Sequence, residues 1–239
     1  MPSLDQAVEI GSAFSGAFPL TPEKGANAIG QRYFGPVVLI TNARCYSATD
    51  IFAAGFQDHR IGPVLGTDEN TGAGGANVWT HEDLVGLLEG DPHSPYVPLP
   101  KGAGMRVSIR RTLRVGANSG TPVEDLGITP DELHRMTRRD LLEGNADLLE
   151  RAGEILKGLT PHAVSITDAT PAGGALRLKV KAVNIDRLDV YLDQRPRASV
   201  DLSDGQADVT VQDAATAQSA RVEGFAEGQL VASRTEQLQ

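Results

Sequence analysis

Between Gly35 and Gly66 the hydrophobic rhythm of the chain changes three times. Val37 to Ile40 is a short β-branched run of the kind a buried parallel strand shows. Past Asn42, Ala43 and Arg44, apolar positions return at Ile51, Phe52, Gly55 and Phe56, with His59 on the same spacing, and this predicts an amphipathic helix from Ala48 to about His59. Val64-Leu65-Gly66 reads as the next strand. Upstream, Leu4, Ala7, Val8, Ile10 and Ala13 predict a helix over Leu4 to Phe14, followed by a loop punctuated by Pro19, Pro22, Gly25 and Gly30. Downstream, a glycine-rich loop (residues 68–77) leads through Val78-Trp79 to Thr80, and Asp83 three residues on makes a capping-box start for a short helix reaching Leu88. Glu89 to Lys101 carries four prolines and reads as an exposed excursion over the site. Met105 to Val115 reads as a strand with an arginine-rich face, and Thr137 or Asp140 opens a helix ending near Gly158.

At Leu159-Thr160-Pro161 the pattern switches from helical spacing to two-residue alternation. Six or seven short alternating segments with turn residues between them read as a small antiparallel β-sandwich, immunoglobulin-like in outline but without a Cys…Trp…Cys core. The expected organisation is an α/β domain over residues 1–158 and an all-β accessory domain over residues 160–239. The second has none of the residue types that catalysis needs, and a packing or protein-binding role is expected for it.

Composition narrows the function classes. With 31 acidic against 22 basic residues the net charge is −9, so neither nucleic acid nor an anionic membrane surface is an expected partner. A single cysteine, Cys45, excludes an internal disulfide framework and leaves no metal-type cluster. No run approaches the roughly 18 apolar residues of a membrane span, and the first residues lack the basic and apolar regions of a secretory signal. As the chain stands it is expected in the cytoplasm.

The chemistry-bearing position is Ser47. A hydroxyl at a helix N-terminus meets free backbone N–H groups and the positive end of the dipole, where an oxyanion would be stabilised. Serine is equally a favoured helix cap, and the pattern alone leaves both readings open. Ser47-Ala48-Thr49-Asp50, Gln57-Asp58 at the helix end, Val64-Leu65-Gly66, and Asp125-Leu126-Gly127-Ile128-Thr129-Pro130-Asp131 together resemble, in order and spacing, the tail-specific, C-terminal-processing serine peptidases, a family that includes the tricorn-type core proteases. The resemblance runs over about residues 5–157. It implies a crotonase/Clp-like core, a polypeptide substrate or ligand, Ser47 as nucleophile, Ala48 N–H in the oxyanion hole, a supporting role for Asp58, and substrate contact at Gly72, Gly74 and Gly75. It also implies a strand and glycine-rich turn ahead of the first helix, so the core is expected to be N-terminally incomplete here.

One element of the family pattern is missing. The processing peptidases place a lysine about two dozen residues after the serine, held neutral by burial so that it can take the hydroxyl proton. In this chain no lysine lies between Lys24 and Lys101, and the corresponding loop reads Thr71-Gly72-Ala73-Gly74-Gly75. A Ser–Lys dyad is therefore excluded. His59 lies at the far end of the predicted helix, about 18 Å from Ser47 at 1.5 Å per residue; His81 and His93 flank the glycine-rich loop and the proline-rich excursion and are the candidate bases. His134 and His162 read as surface residues, and Asp50 as an acid explained by the helix dipole alone. The glycine-rich loop lacks the Gly-Lys-Ser/Thr ending of a phosphate loop. No cofactor and no metal are called for, and self-association is compatible with the sequence. The expected function is a serine-type peptidase of this family; the alternative is a catalytically inactive peptide-binding or scaffold relic of it. Without base and second oxyanion donor, no measurable hydrolysis of an unstructured peptide is expected from the chain alone.

Overall fold

The computed structural model describes residues 2–19, 21–26, 28 and 31–238; Gly30 of the first predicted loop lies outside the described residues. The described residues group into two compact units, one made of those in 1–19 and 37–156, the other of those in 20–36 and 157–239.

The first unit opens with α1 (Pro2–Glu9), which is shorter than its apolar pattern. Gly11 adopts φ +68°, Ser12 N–H reaches back to Ala7 C=O and Gly11 N–H to Val8 C=O, so a glycine C-cap stops the helix before Phe14. α2 (Glu23–Ala26) belongs to the second unit. Next comes β1 (Leu39–Thr41), the serine turn, α3 (Ala48–Asp58) and β2 (Val64–Gly66), as the sequence pattern predicts. β3 (Ala76–Thr80) runs into α4 (His81–Leu87), capped by Thr80: its Oγ1 accepts from Asp83 N–H at 3.1 Å, and Asp83 Oδ2 accepts from Thr80 N–H at 2.9 Å. β4 (Arg106–Arg111) pairs antiparallel with β3, and β5 (Glu132–Leu133) joins the sheet of β1 and β2. The last helical stretch is two helices, α5 (Arg138–Leu142) and α6 (Ala146–Gly158), instead of one. Gly144 and Asn145 both take positive φ between them, and the buried Asp140 carboxylate accepts from Leu148 N–H at 2.8 Å in the first turn of α6.

The sheet β1-β2-β5 is wholly parallel, and β2 at its centre is buried on both faces. On one face Val64 packs with Ala53, Ala54 and Phe56 of α3, and on the other Leu65 packs with Leu148 and Ala152 of α6. The alternation of β2 thus places one helix on each side of the sheet. The turn after β1, the loop after β2 and His134 after β5 all leave from the carboxyl ends of these strands, the edge where open α/β sheets hold ligands.

The second unit is built from β6 (Ala163–Ala172), β7 (Ala175–Val183), β8 (Arg187–Leu192), β9 (Arg195–Asp201), β10 (Gln206–Val211), β11 (Ser219–Ala226) and β12 (Gln229–Gln237). They form two antiparallel sheets, β10-β7-β6 and β12-β11-β8-β9, around one core of Leu176, Leu178, Leu188, Val190 and Val222. Two-residue turns with paired positive φ (Gly173-Gly174, Asp193-Gln194, Glu227-Gly228) join neighbouring strands, the geometry that matches strand twist. Leu188 is 0 % exposed in that core. Leu188→Ala is expected to destabilise this unit by about 2–5 kcal/mol, read as a lower urea midpoint of its unfolding.

Candidate functional site

The turn from β1 into α3 is held by short-range bonds before any tertiary contact is counted. Asn42 Oδ1 accepts from Arg44 N–H at 2.9 Å, Cys45 N–H bonds Asn42 C=O at 3.0 Å, and Tyr46 N–H bonds Thr49 Oγ1 at 2.9 Å. They deliver Ser47 to the N-terminus of α3 with φ 60° and ψ −114°. That is a region L-residues avoid, worth on the order of 1–3 kcal/mol of strain. Ser47 is half-buried. Its hydroxyl lies beside the Asp50 backbone but makes no cap hydrogen bond; only the return half of the capping box is a hydrogen bond, Ser47 N–H to Asp50 Oδ2 at 2.9 Å. Ala48, exposed, follows as the first helical residue, so its N–H is one of the unbonded donors of the first turn.

Asp50 is fully buried. Besides Ser47 N–H, its carboxylate accepts from Gly74 N–H at 2.8 Å and Ala73 N–H at 3.3 Å. The dipole explanation of this acid is therefore too weak: the carboxylate ties the serine turn to the glycine-rich loop. Periodicity gave no hint of it, since a carboxylate three residues into a helix is ordinary; only the coordinates bring residues 73 and 74 to it.

The loop is fixed elsewhere as well. Gly72 N–H bonds Cys45 C=O at 2.7 Å, and Thr71, buried, exchanges bonds with Ile128, N–H to C=O at 3.1 Å and Ile128 N–H to Oγ1 at 2.9 Å. The glycines are there because of what approaches them. A Cβ at Gly72 would stand 2.8 Å from Tyr46 Cδ2 and 3.0 Å from the carbonyl oxygens of Ala43 and Cys45; one at Gly74 would overlap the Tyr46 ring, and one at Gly75 would overlap Val123. Tyr46 thus occupies the space into which any side chain from position 72 would extend.

None of the candidate bases is bonded to Ser47. His81 opens α4; its Nε2 lies 2.7 Å from Val97 C=O and its ring meets Tyr96 edge-on at 6.0 Å, while Nδ1 is buried with no hydrogen-bond partner. His93 is exposed, its N–H on Asp91 Oδ1. His59 is exposed beyond the far end of α3. His134 is not the surface residue expected: its side chain is 12 % exposed and Nε2 sits 2.7 Å from Asp140 Oδ2. His162 bonds Asn184 C=O through Nδ1 at 2.6 Å. Among the described residues no group of three His, Cys, Asp or Glu side chains is placed to hold a metal ion, and no helix is long and apolar enough to cross a membrane.

Asp58 closes the other end of α3. Arg114 grips its carboxylate at 2.5–3.0 Å, Val115 N–H and Asn118 Nδ2 each donate at 3.0 Å, and the acid side chain is 2 % exposed. Arg114 also reaches Gln57 Oε1 at 2.8 Å, and Gln57 Nε2 bonds Asp131 Oδ1 at 2.9 Å. Asp131 in turn accepts from Val64 N–H at 2.7 Å. In the sequence Gln57, Asp58 and Asp131 stand apart, and Arg114, which makes them one network, carries no signal beyond its place in an arginine-rich stretch.

With this geometry in place, the class is that of an α/β protein whose serine turn and glycine-rich loop meet beyond the carboxyl ends of a parallel sheet. The chain belongs to peptidase family S41, whose family model matches residues 3–133, a span holding the serine turn, the loop and all three parallel strands. No curated protein matches it. Among solved structures, the crystal structure of MHC-like MILL2 is similar at 18 % identity and a TM-score of 0.22, over 42 % of this chain and 43 % of that one, so the chain spans less than half of that protein.

Burial alone would raise the Asp58 pKa, but the Arg114, Asn118 and Val115 hydrogen bonds outweigh it and hold the carboxyl at about 2, against an ordinary 3.8. A depressed folded value contributes stability that is complete above about pH 4 and is lost as pH falls through about 2. Asp58→Asn leaves Arg114 buried without its charge partner and should cost about 3–5 kcal/mol at neutral pH. The variant should also show a smaller loss of stability between pH 4 and 2 than the native chain, though not a flat profile, because Asp140 is held below the carboxylate range too. Urea midpoints measured across that interval check both.

Proposed function

We propose that this chain is a serine-type peptidase of the tail-specific kind, acting on polypeptide through Ser47. The observation that carries the reading is the backbone of Ser47, held at φ 60° and ψ −114° on the first turn of α3 with its hydroxyl free of any cap bond. Strain of this sort persists only where surrounding structure over-determines it, and it clusters at reacting groups. In the proposed role the Ser47 hydroxyl attacks the scissile carbonyl, and the carbonyl oxygen, becoming an oxyanion, takes the Ala48 N–H at the positive end of α3. The crotonase/Clp-like arrangement belongs to the same proposal, supported by the parallel β1-β2-β5 sheet with α3 and α6 on its two faces.

The proton acceptor is a group not bonded to Ser47 among the described residues. His81, whose Nδ1 is buried and unpartnered, and the exposed His93 are the chain's own candidates. Asp50 acts as a positioning residue in this scheme; of the three glycines expected to meet substrate, Gly74 and Gly75 are buried against Tyr46 and Val123, and Gly72 is half-buried. Asp58 supports from a distance: α3 separates it from the serine by about 16 Å, so its contribution runs through the placement of the helix. The missing lysine favours a second reading, a polypeptide-binding relative without chemistry, and the two differ in the reactivity of one hydroxyl.

A fluorophosphonate probe reads that hydroxyl in a single turnover. The chain should label at Ser47 over hours, Ser47→Ala should abolish the label, and multiple-turnover hydrolysis of an unstructured peptide should stay below detection for so weakly activated a nucleophile. A correctly folded chain that never labels would leave the binding-only reading in possession of the site. Asp50→Asn, which keeps the volume but weakens its acceptors, should lower the labelling rate at least tenfold, on the scale of about 1.4 kcal/mol per decade.

A further inference from the structure

β4 carries three arginines among its six residues, and all six are exposed. It is one half of a two-stranded sheet, so only one of its sides is paired. His81 N–H bonds Met105 C=O at 2.8 Å and Thr112 N–H bonds Gly75 C=O at 3.0 Å. These bonds flank Thr80–Arg106 and Ala76–Arg111, which are therefore non-hydrogen-bonded pairs of the ladder. The main-chain N–H and C=O groups of Arg106 and Arg111 consequently point away from β3, as by alternation do those of Ser108. Among the described residues nothing bonds them.

The side chains on this bare edge are equally unspent. Arg111 lies over the Phe14 ring at 4.0 Å, but Arg106 and Arg110 form no ion pair among the described residues. Val107 and Ile109, each 39 % exposed, supply apolar contact between them. In a chain of net charge −9, an unpaired strand edge bearing this much positive charge stands out.

We infer that the outer edge of β4 is the docking site of an extended, acidic polypeptide. An added strand satisfies the free main-chain groups, and its carboxylates meet Arg106 and Arg110 in charge-assisted hydrogen bonds. A second copy of the chain is a poor occupant, because self-pairing of β4 sets arginines against arginines. A nucleic acid offers phosphates but no row of alternating donors and acceptors for the strand edge. The C-terminal end of β4 is bonded through Thr112 to Gly75, at the loop that Asp50 ties to Ser47. The inference names the substrate class for the function proposed above and rests on that reading only for what happens to the docked chain.

The test measures binding and cleavage apart. Fluorescence anisotropy with the Ser47→Ala chain is run against a labelled, end-capped alternating Glu-Val peptide, its Lys-Val counterpart, a Glu-Val peptide interrupted by prolines, and a single-stranded oligonucleotide. The Glu-Val peptide should bind about tenfold or more tighter than the other three, and more weakly as salt rises. Arg106→Glu with Arg110→Glu, both exposed and unpaired, should weaken it by about tenfold with an unchanged circular dichroism spectrum. Equal binding of the proline-interrupted or Lys-Val peptide, equal binding of the oligonucleotide, indifference to the double substitution, or a concentration-dependent dimer lost with that substitution would each overturn the assignment. Tight Glu-Val binding with no fluorophosphonate reaction would instead sink the peptidase reading and leave this one standing.

Discussion

The Asp50 carboxylate is the interaction on which the site depends. A buried charge costs several kcal/mol unless its oxygens are satisfied, and here three main-chain N–H groups from two separate segments satisfy them. One donor belongs to the strained serine; the other two belong to the loop after β2. Each segment therefore holds the other in place. The loop can turn its N–H groups inward only if no side chain at 72 or 74 keeps the Tyr46 ring away, which is why glycine stands at both. Strain, buried charge and bare glycines are three aspects of one arrangement.

A second network fixes the opposite end of α3. Gln57 and Asp58 reach Arg114 and Asp131, and Asp131 reaches β2. With Asp50 at its start and Asp58 at its end, the helix is bonded to its surroundings at both ends. The two acids divide the work by position. Asp50 sets the local geometry of the serine, while Asp58 sets the placement of the helix that carries it.

Much of this was legible in the sequence where local chemistry decides structure. The β1-turn-α3-β2 unit, the Thr80 capping box and the seven alternating strands of the second unit all follow from period and cap residues. The first helix ends short of its apolar pattern because Gly11 supplies a left-handed stop, and the last divides in two because Gly144-Asn145 interrupts a pattern whose apolar spacing continues across it. Asp50 gives no sign in the sequence because a distant segment's approach leaves no trace in local spacing, and His134 gives none because its partner Asp140, six residues on, falls at no regular period. Ser47 itself was ambiguous between cap and nucleophile, and what separates the two is a backbone angle that no residue type announces.

The missing lysine and the retained strain pull in opposite directions, and their relative weight can be argued. If the glycine-rich loop were free to move, the serine turn could relax into an ordinary cap, with Ser47 in the extended region and its hydroxyl bonded to the Asp50 N–H. Instead Tyr46 packs against Gly72 and Gly74, the loop stays bonded to Asp50, and Ser47 keeps a conformation that costs on the order of 1–3 kcal/mol. A sequence free to drift removes such costs readily, since relieving local strain is among the commonest stabilising changes. A turn held this way is the observation that favours the peptidase reading proposed above, in which the proton acceptor is a group other than a lysine on this loop.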